Sequence, residues 1–490
     1  MVLAQVGTSD AERNMEDTMG SITPSAKLEY DRVSHKENQV VHLLINLEGK
    51  KSDPLNRKPL TLSAVIDVSG SMASADKIEY AKKTLKKLIA NMTPDDRLGI
   101  VAYSTTVFTV LPVSKMTQET KEKAMAEVDK LHSMDSTNLS GGMLEGFQSL
   151  KDAGKQGDLV RVFLMTDGLA NVGVSDLPSL VGLVEKRPDG TSLSCFGYGL
   201  DYDPELLGSM ARKGGGNLHH IKNPDECLGA FGRELGGLVT CVAQVIKVKI
   251  KTKPDFKILE VLSDFDVEGS KDQTEAAIAV DDVYSEERRR IVLKVEIPKS
   301  DKPLPRPIKF ADIEICYHDL LANESKEEKL SAEIEQVKPE DAQKEASLEV
   351  KEEILRIDVA KAQEEAIRLA AAGNYAGARQ VIQGMVYCCG VLGAKGSQGA
   401  QGWQGQLRDE VLGKLSSEET YAAGGQHLLR ASAQAYKSAR GTTASTSPMF
   451  SSKGSKSMED AFKKGEALPK SEPKKTAPLT DLSKKRTKRE

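Results

Sequence analysis

Cysteine, histidine and tryptophan are scarce, at six, seven and one among 490 residues, and that scarcity removes several chemistries at once. Cys195, Cys227, Cys241, Cys316, Cys388 and Cys389 form no Cys-x-x-Cys pair, no disulfide framework and no zinc-binding series of the RING type. Most are expected to be buried free thiols in a reducing compartment, with the vicinal pair Cys388-Cys389 in a helix core. No His-Glu-x-x-His, no phosphate-binding Gly-x-x-x-x-Gly-Lys loop and no Gly-x-Ser-x-Gly elbow occurs. Gly197-Tyr-Gly199 lacks the third glycine of a dinucleotide turn. Aromatics make up only 4% and do not interleave with basic residues, which argues against a single-stranded nucleic-acid platform. No apolar run is long enough for a bilayer, and no basic start leads into an apolar core. With a net charge of only -4, the chain has no general attraction to nucleic acid or anionic membrane. The expectation is a cytoplasmic or nuclear protein with no membrane insertion and no nucleic-acid partner.

What is present is an apolar share of 39%, enough for a sizeable core, and a clear change of pattern along the chain. Residues 1–24 are polar and unpatterned and are expected to be disordered. Residues 25–59 contain the strand-like run Val40-Val-His-Leu-Leu-Ile-Asn-Leu47. Over 60–240, buried strands alternate with amphipathic helices, which predicts a doubly wound, mainly parallel α/β sheet. Here Ser140 is a candidate helix cap, and His219-His220 are expected on the last strand, one inward and one exposed. From Val242 the alternation of apolar and basic residues predicts a β-sandwich over 241–320. The early strand at Val40 has no sheet of its own, so it is expected to join this sandwich, which makes the α/β domain an insertion. Residues 321–440 are expected to be helical, with a Gly-rich linker at 396–405. The helices flanking Gly373-Asn374-Tyr375 look like one αα-hairpin, similar to a single tetratricopeptide-type unit. Residues 441–490 are expected to be a disordered basic tail. From Ser451 to Glu490, 12 Lys and Arg against 6 Asp and Glu give about +6.

Chemistry concentrates at Thr61-Leu-Ser-Ala-Val-Ile-Asp-Val-Ser-Gly-Ser-Met72. An apolar strand ends abruptly in a carboxylate and two hydroxyls, Asp67, Ser69 and Ser71, spaced two residues apart. Hard oxygen ligands at a strand terminus suit a small divalent cation, and open parallel sheets bind ligands at that end. The same residue types also form caps and turns. A second buried strand, Val162-Phe-Leu-Met-Thr-Asp-Gly168, ends in another carboxylate, Asp167. Thr137 lies between them in Asp135-Ser-Thr-Asn-Leu-Ser-Gly-Gly142.

This ordered set resembles the von Willebrand factor A domain with its metal-ion-dependent adhesion site. The resemblance implies a metal held by Asp67, Ser69, Ser71, Thr137 and Asp167. Ser69, Ser71 and Thr137 would touch it more directly, and the two aspartates would act partly through water. It implies Mg²⁺ or Mn²⁺ as cofactor, and a protein partner that supplies a Glu or Asp carboxylate to an open position. The flanking sandwich and helices resemble intracellular members of the family. The function expected is a metal-dependent protein-binding scaffold and not an enzyme. The alternatives are an accessory subunit of a ubiquitin-linked or chaperone-like complex, and a metal-assisted hydrolase, for which no base outside the ligand set is evident.

Overall fold

The computed structural model describes residues 20–438, apart from 53–57, 152, 154–157, 169, 200, 222–223, 264 and 305. Its first strands are β1 (Ile22–Leu28), β2 (Arg32–Ser34) and β3 (Gln39–Gly49). An alternating series follows: β4 (Leu60–Asp67), α1 (Lys77–Asn91), β5 (Arg97–Tyr103), β6 (Val107–Lys115), α2 (Gln118–Asp129), α3 (Leu139–Leu150), β7 (Leu159–Thr166), α4 (Leu177–Glu185), β8 (Thr191–Tyr198), α5 (Pro204–Lys213), β9 (Gly215–Ile221) and α6 (Pro224–Val239). The strands form one sheet in the order β6-β5-β4-β7-β8-β9. All pairs are parallel except β5 with β6, an antiparallel hairpin at the edge. Every residue of β4 and β8 is buried, as expected for strands covered by helices on both faces.

The chain then returns to antiparallel structure through β10 (Cys241–Thr252), β11 (Lys257–Val261), β12 (Asp266–Gly269), β13 (Glu275–Val280), β14 (Val283–Tyr284), β15 (Arg288–Ile297), β16 (Ile308–Asp319) and β17 (Glu324–Val337). Two sheets face each other over one core. The first has the order β1-β3-β15-β11 and the second β12-β13-β10-β16-β17-β2. Because β3 pairs with β15, Gln39–Glu48 against Arg288–Ile297, the α/β domain is inserted within the sandwich. Arg161 of β7 is wholly buried and pairs with Asp282 of the sandwich, and Leu320 packs into the α/β core, so the two parts share an interface.

The helical region contains α7 (Leu348–Ala371), α8 (Tyr375–Ala394), α9 (Gln398–Gln406) and α10 (Gln426–Ser438). Val350 and Ile357 of α7 pack on Leu44 and Val292, covering the outer face of the four-stranded sheet. Asn374 caps α8 by accepting from the Gly377 N–H, so Gly373-Asn374 forms the hairpin turn.

Several expectations are corrected. The disordered start extended to residue 24, yet Ser21 is buried, its N–H bound to Asp319 and its hydroxyl to the Val242 carbonyl, and β1 begins at Ile22. Pro24 is tolerated there because β1 is an edge strand. Helix was expected from 321, but β17 forms a hairpin with β16, turning at Asn323 with φ 59°. Its apolar residues Ala332 and Ile334 alternate into the core, and the surrounding Glu and Lys obscure that period. The Gly-rich segment 396–405 is mostly helix α9 instead of a linker. Ser397 Oγ accepts from the Ala400 N–H (3.0 Å), and Trp403 is buried, so a cap and one large apolar anchor outweigh the glycine content. Cys389 is buried but Cys388 is exposed, since adjacent helical positions point about 100° apart. The tail 441–490 and residues 1–19 lie outside the described residues.

His219 and His220 are both buried, not one inward and one exposed. His219 donates from Nε2 to Glu234 of α6 (2.9 Å), which also accepts from Ser194 and from Asn217 (3.0 Å). Burial alone would raise the Glu234 carboxyl, but these hydrogen bonds and the histidine charge hold it near 2, below its ordinary 4.5. A depressed carboxyl stabilises the fold fully above its unfolded value, and that contribution is lost as pH falls toward the folded one. Urea midpoints should therefore fall between about pH 4.5 and 2, and Glu234→Gln should flatten that slope while lowering the neutral-pH midpoint. A second expectation concerns the thiols. In the native protein, Cys388 should alkylate first and Cys316 more slowly, while Cys195, Cys227, Cys241 and Cys389 stay protected until unfolding, as mass spectrometry of labelled peptides would read.

Candidate functional site

The carboxyl ends of β4 and β7 lie side by side, because these strands pair in parallel with Ile66 opposite Met165. Asp67 therefore emerges beside Thr166, and Asp167 one residue further on. Asp67 is completely buried. Its Oδ2 accepts from Thr166 Oγ1 (2.6 Å) and its Oδ1 from the Ser69 N–H (2.8 Å). Ser69 and Ser71 hydroxyls lie 3.1 Å apart, and Ser71 donates to Asp167 Oδ1 (2.7 Å). Four of the five expected residues are thus directly linked.

Thr137 completes the group across Gly168. A Cβ built on Gly168 would sit 3.4 Å from Ser71 Oγ and 3.6 Å from Thr137 Oγ1, so both hydroxyls border the same space. Backbone contacts hold the contributing loops against each other. The Gly70 N–H donates to the Asp135 carbonyl (2.8 Å), and a Cβ on Gly70 would lie 3.0 Å from the Met134 carbonyl oxygen. Met134 N–H reaches the Val68 carbonyl, and Asn138 N–H the Ser104 carbonyl (2.8 Å). Thr137 N–H donates to Asn171 Oδ1 (2.8 Å). Asn138, not Ser140, caps α3, accepting from the Gly141 N–H (3.0 Å). The Ser140 hydroxyl instead accepts from the Val174 N–H (3.0 Å).

Charge at the site is unbalanced toward the negative. Burial pushes the Asp67 carboxyl up to about 6, against hydrogen bonds from Thr166 and Ser69 that pull it down, and nearby Asp167 adds to the rise. One ammonium answers this charge. Lys77 Nζ donates to Asp167 Oδ2 (2.7 Å) and to Asp201 Oδ2 (2.9 Å). Burial pulls the Lys77 ammonium down, but the two carboxylates more than offset it and hold it above the ordinary lysine value. Two carboxylates paired with one ammonium, a third buried beside them at Asp67, and convergent hydroxyls without sulfur or imidazole make a donor set that fits a small hard divalent cation. Asp67, Ser69, Ser71, Thr137 and Asp167 are the residues that would hold it.

Thr166, Lys77, Asp201 and Asn171 were not singled out in the sequence. Thr166 directly precedes Asp167, and a hydroxyl closing a buried strand beside a carboxylate was the available signal. Thr166→Val, which keeps shape but removes the donor to buried Asp67, should cost about 1–3 kcal/mol in urea unfolding.

The von Willebrand factor type A domain model matches residues 62–231. The Escherichia coli K12 protein YfbK is 28% identical over 222 residues, 45% of this chain and 38% of its own. The E3 ubiquitin-protein ligase WAV3 of Arabidopsis thaliana is 24% identical over 255 residues, covering 51% and 32%. The aligned region thus spans about a third of those relatives' own length. Among solved structures, the von Willebrand factor type A protein from Catenulispora acidiphila superposes with a TM-score of 0.65 at 15% identity, over 80% of this chain and 91% of that one. The ArnB paralog VWA2 from Sulfolobus acidocaldarius gives 0.56 at 15% identity, over 85% and 97%. Both likenesses concern the fold.

Proposed function

This chain carries a von Willebrand factor type A domain over residues 62–231, and from that premise we propose that it is a metal-dependent protein-binding scaffold. The cation is Mg²⁺ or Mn²⁺, held by Asp67, Ser69, Ser71, Thr137 and Asp167. The observation that carries this is the convergence of Asp67, Ser69, Ser71 and Asp167 within hydrogen-bonding distance at the rim of the parallel sheet. A bound ion supplies a positive centre that attracts an acidic side chain. The protein residues bind and orient. The hydroxyls add no charge of their own and the two aspartates would act partly through water, so the ion would keep Lewis acidity toward a Glu or Asp of a protein partner, in a charge-assisted contact. The surrounding loops, including 104–107 and 133–138, select the partner. Among the described residues no helix is long and apolar enough to cross a membrane. We propose a reducing compartment, the cytoplasm or nucleus, on the cysteine usage.

A second role is favoured by the match to WAV3, that of an accessory subunit of a ubiquitin-linked complex. The transfer chemistry would then reside on another chain, since the six cysteines here supply no RING-type set. We propose that the chain itself is not an enzyme. Both oxygens of Asp167 are engaged by Ser71 and Lys77, and Asp67 is closed off by Thr166 and Ser69, so neither carboxylate is placed as a general base.

Thr137→Ala is the cleanest probe, because Asp67→Ala also strips a partner from Thr166 and from the Ser69 N–H. Calorimetric affinity for Mn²⁺ or Mg²⁺ should drop about tenfold or more, with far-UV circular dichroism unchanged. Pull-down of acidic-motif partners should be lost in excess chelator. Capture indifferent to both the chelator and Thr137→Ala would sink the metal-dependent role.

A further inference from the structure

Lys77 is the one basic side chain hydrogen-bonded to Asp167 among the described residues, and three features of the fold hold it there. The first is the turn before it. Ala75 (φ 52°) and Asp76 (φ 57°) are consecutive non-glycine residues in the left-handed region, a conformation that persists only where its surroundings enforce it. This turn follows the Ser69–Ser71 loop and starts α1 with Lys77 as its first residue. The second is Gly199, at φ 76° just after β8. A Cβ there would come within 3.0 Å of Lys77 Cε and 3.3 Å of Nζ, so the absence of a side chain makes room for the lysine. The third is the pair of carboxylates. Buried Asp167 and largely exposed Asp201 both lie within 2.9 Å of Nζ, with Asp201 71% exposed against none for Asp167.

We propose that Lys77 is a tethered cation that competes with the divalent ion for Asp167, and that it sets the affinity of the site with Asp201 as its alternative resting place. This rests on the metal role argued above. Asp167 Oδ2 belongs to the ammonium, and Oδ1 faces Ser71. The Lys77 ammonium bonds the same carboxylate that would hold the divalent ion, so the two positive charges would repel each other there. The ammonium cannot escape into apolar surroundings, but Asp201 offers a solvated acceptor at 2.9 Å, so it shifts its weight to Asp201 and stays paired. Metal uptake and the Lys77–Asp201 contact thereby strengthen together. A lone ammonium also keeps Asp167 from being left as an unpaired buried charge when no ion is bound.

The two partners of the lysine predict opposite effects. Lys77→Met removes the competitor, and the full chain should bind Mn²⁺ about tenfold or more tightly by calorimetry. Asp201→Asn weakens the alternative resting place, holds the ammonium on Asp167, and should loosen Mn²⁺ binding several-fold. Asp201 is exposed, so this second variant is expected to fold even if Lys77→Met does not. A further readout is thermal. The melting temperature lost in Lys77→Met relative to wild type should shrink when both are saturated with Mn²⁺, because the ion then pairs Asp167. Mn²⁺ binding that is unchanged or weaker in folded Lys77→Met, or unchanged in Asp201→Asn, overturns the lysine's role and leaves the metal role standing. No Mn²⁺ binding by any variant overturns both.

Discussion

A carboxylate sealed from water at the end of the central strand is the constraint around which this molecule is arranged. Asp67 has no exposed surface, and a buried carboxylate must be hydrogen-bonded or it costs several kcal/mol. The parallel pairing of β4 with β7 answers this by setting the Thr166 hydroxyl opposite, and the tight turn after β4 answers it again with the Ser69 N–H. The same turn throws Ser69 and Ser71 toward Asp167. Sheet register, loop conformation and hydroxyl clustering therefore follow from one requirement.

Electrostatics then separates two kinds of polar group at this rim. The hydroxyls contribute oxygen without charge, whereas Asp67 and Asp167 contribute charge whose effect burial amplifies. Burial of Asp67 already works against its ionised form, as its elevated titration point near 6 reflects. Lys77 offsets the charge of Asp167, not of Asp67, and it is shared with Asp201. Among the described residues the site is thus short of positive charge, and Lys77, the cation bonded there, is attached to the chain.

Legibility from sequence followed the strength of local pattern. The strand ending at Asp67 and the one ending at Asp167 were readable because both faces are apolar and the polar residues begin abruptly. The insertion of the α/β domain was readable from a stray early strand at Val40. Where composition and period disagreed, the reading failed. Residues 324–337 are dense in Glu and Lys, which suits a helix surface, yet Ala332 and Ile334 keep a two-residue period facing the core. Glycines in 396–405 suggested a linker, but Ser397 and Trp403 decide the segment through one cap and one buried ring. Lys77 and Asp201 could not have been found by spacing. They are 124 positions apart and meet only because β4 and β8 flank β7.

The placement of the α/β domain between β3 and β10 has a mechanical meaning. Both of its chain ends leave on the sandwich side, and Arg161 with Asp282 adds a third attachment there. A unit fastened at two covalent points resists swivelling about a single bond. Load applied by something seized at the opposite rim would be divided between the two facing sheets, through β3 into one and β10 into the other, instead of peeling a lone strand from its edge.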